Sequence, residues 1–173
     1  MLTKIEIEKY FIAEKAESLV FLLIGFFGVA GGAICYFVVK SPFYEGAAIP
    51  LLVIGLLLAI IGFIIFRRSD ADRIRNVYAF DMNPAELKEK ELPRMQAVMK
   101  NFILYRYIEM ALVLVGILLF VYFKNNLLQT FWKGMGLSLA AMAIIALVAD
   151  FFAEERGHIY LKGLREFTSN TPR

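Results

Sequence analysis

Two uncharged stretches constrain this chain more than any other feature: residues 18–39 and 46–66 run for 22 and 21 residues without a charge. A helix rises about 1.5 Å per residue and a hydrocarbon core is about 30 Å thick, so each stretch is long enough to cross a bilayer as one helix. Residues 110–123 and 134–149 are shorter clean runs of 14 and 16. They reach spanning length by taking in Arg106 and Glu109 in one case and Asp150 in the other. Four spans follow, at about 18–39, 46–66, 104–123 and 134–153. The fold class predicted is all-α, a polytopic membrane protein of one four-helix transmembrane domain. Residues 67–101 form a polar connection and 154–173 a polar tail.

Composition agrees. Hydrophobic residues make up 60% of the 173, above the roughly 45–50% of soluble chains, and mean hydropathy is +0.64. The first apolar stretch exceeds the roughly 7–15 residues of a signal peptide's core. Glu6, Glu8, Glu14 and Glu17 precede it, so it is expected to stay as a span. Cys35 is the single cysteine, which excludes an internal disulfide, a cysteine-pair metal site and thiol-relay oxidoreductase chemistry.

Basic residues set the orientation. Sixteen of the nineteen Lys and Arg lie in the amino-terminal segment, the long connection and the tail. Only Lys40, Lys124 and Lys133 lie in the two short turns. Cationic flanks stay in the cytoplasm during insertion, so both termini are expected inside, in a bacterial inner (plasma) membrane. Tyr36, Phe37, Phe43 and Tyr44 bracket one turn, and Tyr122, Phe123, Phe131 and Trp132 the other. Such rings settle at headgroup level and mark the outer surface. Tyr44 and Trp132, with Arg67, Arg68 and Arg156 on the inner side, are the expected headgroup anchors.

Residues 43–49 (Phe-Tyr-Glu-Gly-Ala-Ala-Ile) and 131–137 (Phe-Trp-Lys-Gly-Met-Gly-Leu) repeat an aromatic pair, a charge, glycine, two small or flexible residues and an aliphatic at an offset of 88. Each heptad sits at a turn-to-helix junction. The pattern predicts two helical hairpins of the same orientation, related by an axis along the membrane normal. Gly28, Gly31, Gly32, Gly55 and Gly62 supply close-approach faces within the first hairpin.

The connection is expected to be helical. Residues 67–80 contain no Gly or Pro and should prolong the second span. Asn83 then caps a short helix opened by Pro84 and running to about Glu91. After Pro93, Met95, Val98, Phe102, Tyr105, Glu109 and Leu112 form an a/d stripe on one long helix that becomes the third span. The fourth span should continue to about Phe167, with a bend at Gly157.

Glu17, Arg106, Glu109 and Asp150 are the candidate functional charges, since ionisable groups near a span face protein or a water-filled cavity. A purely structural account pairs Arg106 with Glu109 one turn along and Asp150 with a neighbouring helix. The a/d stripe instead aims Glu109 inward. Asp150, Glu154, Glu155 and His158 form a candidate metal set, because Glu-x-x-His is the element used by carboxylate-bridged di-iron bundles. Those bundles use the element twice, and this chain has one histidine. No catalytic, phosphate or cofactor motif is present, so an enzyme is not expected and no cofactor is expected.

The leading reading is a non-enzymatic protein that acts through helix packing and partner binding, in an interaction, accessory or immunity-type role. Tyr78, Phe80, Met82, Met95 and Met99 are its candidate contact residues. In size and topology the outline is similar to the immunity proteins that guard inner membranes against pore-forming bacteriocins. The alternatives are a small oligomeric proton- or ion-coupled transporter using the boundary carboxylates, and a metal-binding membrane protein. The expected partners are the lipid bilayer, a protein on the cytoplasmic side and a second copy of the chain. Acidic residues interleave with the basic ones, so no nucleic acid is expected.

Overall fold

The computed structural model describes residues 2–170, with the side chain of Asn170 excepted; Arg173, counted above with the tail, lies outside them. Among the described residues the fold is helical throughout. Helix α1 covers Lys4–Ile34 and continues in a π-helical turn, Cys35–Val39. Helix α2 covers Pro42–Met82, α3 is the single turn Pro84–Glu86, α4 covers Leu92–Phe123, and α5 covers Thr130–Asn170. A π-helical turn, Leu87–Glu91, joins α3 to α4, and a 3₁₀ turn, Leu127–Gln129, precedes α5.

Four helices are long and apolar enough to cross a membrane: Lys4–Val39, Pro42–Met82, Pro84–Phe123 and Leu127–Ser169. At 36 to 43 residues, each is about twice as long as a hydrocarbon core is thick. Each therefore has an apolar half and a polar half.

Local chemistry explains the ends. Thr3 caps α1 by accepting from the Glu6 amide (3.2 Å), while Glu6 accepts from the Thr3 amide (2.7 Å), a closed capping box. Lys40 stops the first helix in a left-handed conformation at φ 48°. Pro42 then opens α2 at a first-turn position, where its missing N–H costs nothing. Pro50 stands inside α2, which already starts at Pro42, and the helix runs through it.

One boundary differs from the sequence reading. The break expected between Glu91 and Pro93 is absent: the π turn carries α3 directly into α4, with Pro93 accommodated in the first turn of α4. At Gly157, where a bend was expected, the helical assignment of α5 is unbroken. Gly157 instead makes room for the Met99 sulfur.

Helix α1 runs back along α2, with Lys4 bonded to Asp81 at 2.7 Å and Lys15 bonded to Asp70. Helix α4 packs on α5, α2 packs on α5, and α1 and α4 hardly meet. In the apolar half, contacts depend on close backbone approach. A Cβ on Gly62 would lie 2.6 Å from the Ser18 carbonyl oxygen, and one on Gly116 would lie 2.6 Å from the Ala140 amide. Gly31, expected on such a face, has open space beside it. Phe21, Leu58, Met142 and Ala146 form a small core here. Exposed Leu, Ile and Phe cover the outside.

The polar half has a core of its own. Ile7 and Phe11 of α1, Ala79 of α2, Leu87, Met95 and Met99, and Tyr160, Leu161 and Leu164 of α5 are all buried together. Burying one large apolar side chain contributes about 1.5–3 kcal/mol, so this polar head is a stably packed unit and not a loose extension. Tyr10 stacks on Tyr160 with ring centroids 4.2 Å apart, and Phe80 stacks on Phe167 at 4.9 Å.

Candidate functional site

Because α1 and α4 diverge while α2 and α5 stay together, a cleft opens between α1 and α4, floored by α2 and α5. Its volume is about 520 Å³, within the range of roughly 300–1,000 Å³ typical of small-molecule sites. Toward the polar head it is lined by Tyr10, Glu14, Glu17, Arg68, Asn101 and Arg156. Toward the apolar half the lining changes to Phe21, Ile54, Leu57, Leu58, Ile61 and Leu112. Glu109 of α4 and Asp150 of α5 also line it.

Glu109 and Asp150 are in side-chain contact with each other. Glu109 Oε2 is buried without a hydrogen-bond partner. Two touching carboxyls hold a proton or a cation between them far better than they hold two bare charges. The a/d stripe therefore reads the direction of Glu109 correctly. The expected pairing of Arg106 with Glu109 does not form: Arg106 bonds Glu154 of α5 instead. One helical turn separates Arg106 from Glu109 on α4, yet the inward a/d position turns Glu109 away toward Asp150.

The other charges at the cleft are paired. Arg156 bonds Glu17, and Arg68 lies 3.7 Å from Glu14. Ser69 Oγ donates to Glu14 Oε2 at 2.9 Å. Burial pushes the Glu14 carboxyl above its ordinary value of 4.5, against the lowering effects of Arg94, Ser69 and Arg68. Burial likewise raises Tyr10 and Tyr160. Arg68 and Arg156, expected as headgroup anchors, turn toward acids of α1. Arg67 lies over the Phe63 ring at 5.9 Å, and Tyr44 and Trp132 are each 43% exposed, so these three keep positions open to headgroups.

The metal set does not assemble. Glu154 Oε1 binds Arg106 and lies 3.4 Å from His158 Nε2, while Glu155 and His158 are exposed. Among the described residues no three His, Cys, Asp or Glu side chains are grouped to hold an ion. Nothing near Glu154 replaces the missing second histidine.

The contact candidates divide. Met95 and Met99, expected on a partner surface, are interior side chains at 0% and 6% exposure. Phe80 is half-buried against Phe167. Tyr78 and Met82 are exposed, and with Ile74 they form a stripe at four-residue spacing on α2.

Sequence reasoning did not place Glu14, Tyr10 or Arg68 at a cleft, and it missed the buried pair Glu91–Arg94, whose two hydrogen bonds measure 2.6 and 2.8 Å. One signal was available. Arg68 and Arg156 stand 88 residues apart, the same offset as the aromatic heptads. Compared with models of known protein families, with curated proteins and with solved structures, the chain matches none.

Proposed function

We propose that this chain is a non-enzymatic integral membrane protein that binds and exchanges a proton or small cation at the Glu109–Asp150 pair. In this reading four spans form two hairpins of like orientation, and both termini and the polar head lie in the cytoplasm. The observation that carries it is a carboxyl pair in contact at the side of a 520 Å³ cleft, with one carboxylate oxygen buried and unpartnered. Intramembrane carboxyls in such settings are the usual elements of proton and ion pathways.

The duplication rests on more than the heptads. Helices α2 and α5 begin at Pro42 and Thr130, 88 residues apart. Lys4 and Leu92, the first residues of α1 and α4, are also 88 apart. A Cβ on Gly46 would strike the Phe131 carbonyl, and a Cβ on Gly134 would strike the Phe43 carbonyl. That contact is reciprocal, as a two-fold axis requires.

Difference titration tests the functional reading. Purified protein in weakly buffered detergent should bind two more protons between acidic and alkaline pH than the double variant Glu109→Gln, Asp150→Asn, one of them still held at neutral pH. Equal proton uptake by both proteins sinks it.

A second reading is favoured by the exposed stripe Ile74, Tyr78 and Met82 on the polar head. There the protein docks a cytoplasmic partner or a second copy, in an accessory or immunity-type role. Crosslinking in native membranes followed by mass spectrometry would identify that partner, and loss of the crosslink in Tyr78→Ala would place it on the stripe.

A further inference from the structure

The cleft restricts what it can take up by shape, by polarity and by charge. It lies between α1 and α4, the two helices that hardly meet, so it opens sideways along their length. In a bilayer that opening faces the acyl chains, which is an entry route for a molecule dissolved in the membrane. Its lining is graded. Phe21, Ile54, Leu57, Leu58, Ile61 and Leu112 lie at the apolar end, and the ionisable groups lie at the end nearest the polar head. An occupant with an apolar body and one polar end matches that gradient.

Charge selects the sign of the polar end. The ionisable groups facing the cleft are Tyr10, Glu14 and Glu17 of α1, Arg68 of α2, Tyr105 and Glu109 of α4, and Asp150 and Arg156 of α5. Each arginine already has a glutamate partner. Glu109 and Asp150 have only each other, with Glu109 Oε2 buried and unbonded. Arg68 has its Nε buried and unbonded but already faces two acids, Glu14 at 3.7 Å and Asp72 at 3.9 Å, so an incoming anion meets only cations set against carboxylates, whereas an incoming cation meets two carboxyls with no cation of their own, beside Phe21 and Phe102. Aromatic faces attract cations and leave anions unattended.

We propose that the cleft is a binding site for a lipophilic organic cation, held by Glu109 and Asp150 at its charged end and by the α1, α2 and α4 side chains around its body. The proposal rests on the proton-exchange reading above and names the substrate class of that site. Uptake of one such cation displaces the proton shared by the two carboxyls, so charge balances at the site: one positive charge enters and one leaves.

The test uses the full chain in phosphatidylcholine nanodiscs, titrated with tetraphenylphosphonium by isothermal calorimetry in two buffers of different ionisation enthalpy. Saturable one-to-one binding with release of a proton is expected. Glu109→Gln should weaken it by about tenfold or more, as loss of a desolvated charge partner does. Ile61→Trp keeps both carboxyls and fills the apolar end, so it should block the probe while proton uptake in the difference titration stays at the wild-type level. Dodecyl phosphate, an anionic amphiphile, should show no saturable binding. The proposal is overturned if tetraphenylphosphonium fails to bind, if Glu109→Gln binds it as tightly as wild type, or if dodecyl phosphate binds equally well. A failed probe with intact proton uptake removes the substrate class alone, and loss of both removes the proton-exchange reading too.

Discussion

Arg68 and Arg156 occupy the same position along α2 and α5, and both guanidiniums reach glutamates of the same helix, Glu14 and Glu17 of α1. The amino-terminal half of the chain thus supplies the acids for both. Helix α4, the counterpart of α1 in the proposed duplication, places Phe102 and Tyr105 88 residues after Glu14 and Glu17 and turns its own acid, Glu109, toward Asp150. This asymmetry frees one carboxyl pair at the cleft.

The reciprocal glycine contact makes a symmetric prediction. Gly46→Ala and Gly134→Ala should each destabilise the helical bundle by about 1–3 kcal/mol, as overpacking does. The two losses should be similar in size. Gly31→Ala, beside open space, should be neutral or slightly stabilising. Unfolding in mixed micelles, followed by circular dichroism, compares the three.

Glu91 is the most deeply buried acid in the chain, with its side chain 2% exposed and both oxygens on Arg94. Arg94→Ala should cost about 3–5 kcal/mol, because it strands a buried carboxylate. The double variant Glu91→Met, Arg94→Met should recover most of that loss. Thermal melts of the two proteins measure the difference, and equal losses would contradict it.

Glu14 gives the fold a pH dependence of definite sign. Its carboxyl is raised by burial, so the folded state binds the proton more tightly than the unfolded one. Stability is then greatest below the ordinary carboxylate range. It declines as pH rises from about 4.5 through the raised folded value. Glu14→Gln should flatten that decline between pH 4 and neutrality, as read from Tm against pH. Tyr10 and Tyr160, also raised by burial, add a second decline above about pH 10.

Topology is accessible through thiol labelling. In a Cys35→Ala background, cysteines placed at Lys40 and Lys124 should react with a membrane-impermeant maleimide applied from outside intact cells. Cysteines at Lys9 and Lys162 should react only after lysis. Reaction of all four from outside would refute the expected orientation.

Helix number and the spanning stretches were legible in the sequence because lipid imposes a length on any apolar run, and charges such as Lys40 and Arg67 mark its limits. The inward direction of Glu109 was legible from periodicity. Its partner was not, since a contact with Asp150 depends on how α4 and α5 are rotated against each other, which no local pattern records. The same reason misplaced Arg106, whose bond to Glu154 crosses between helices. Met95 and Met99 were misread because an apolar residue outside the spans suits a partner surface or a second core equally well. Only the meeting of Phe11, Leu87 and Leu164 around them decides between the two.

The crossing at Gly46 and Gly134 sits near one end of two 41-residue helices. It therefore clasps two rods about 60 Å long near one end. A rotation of about 5° there would carry the far tips by about 5 Å, enough to widen or narrow the space between α1 and α4 without unwinding any turn. A shift at the glycine crossing would in this way be transmitted mechanically to the polar head.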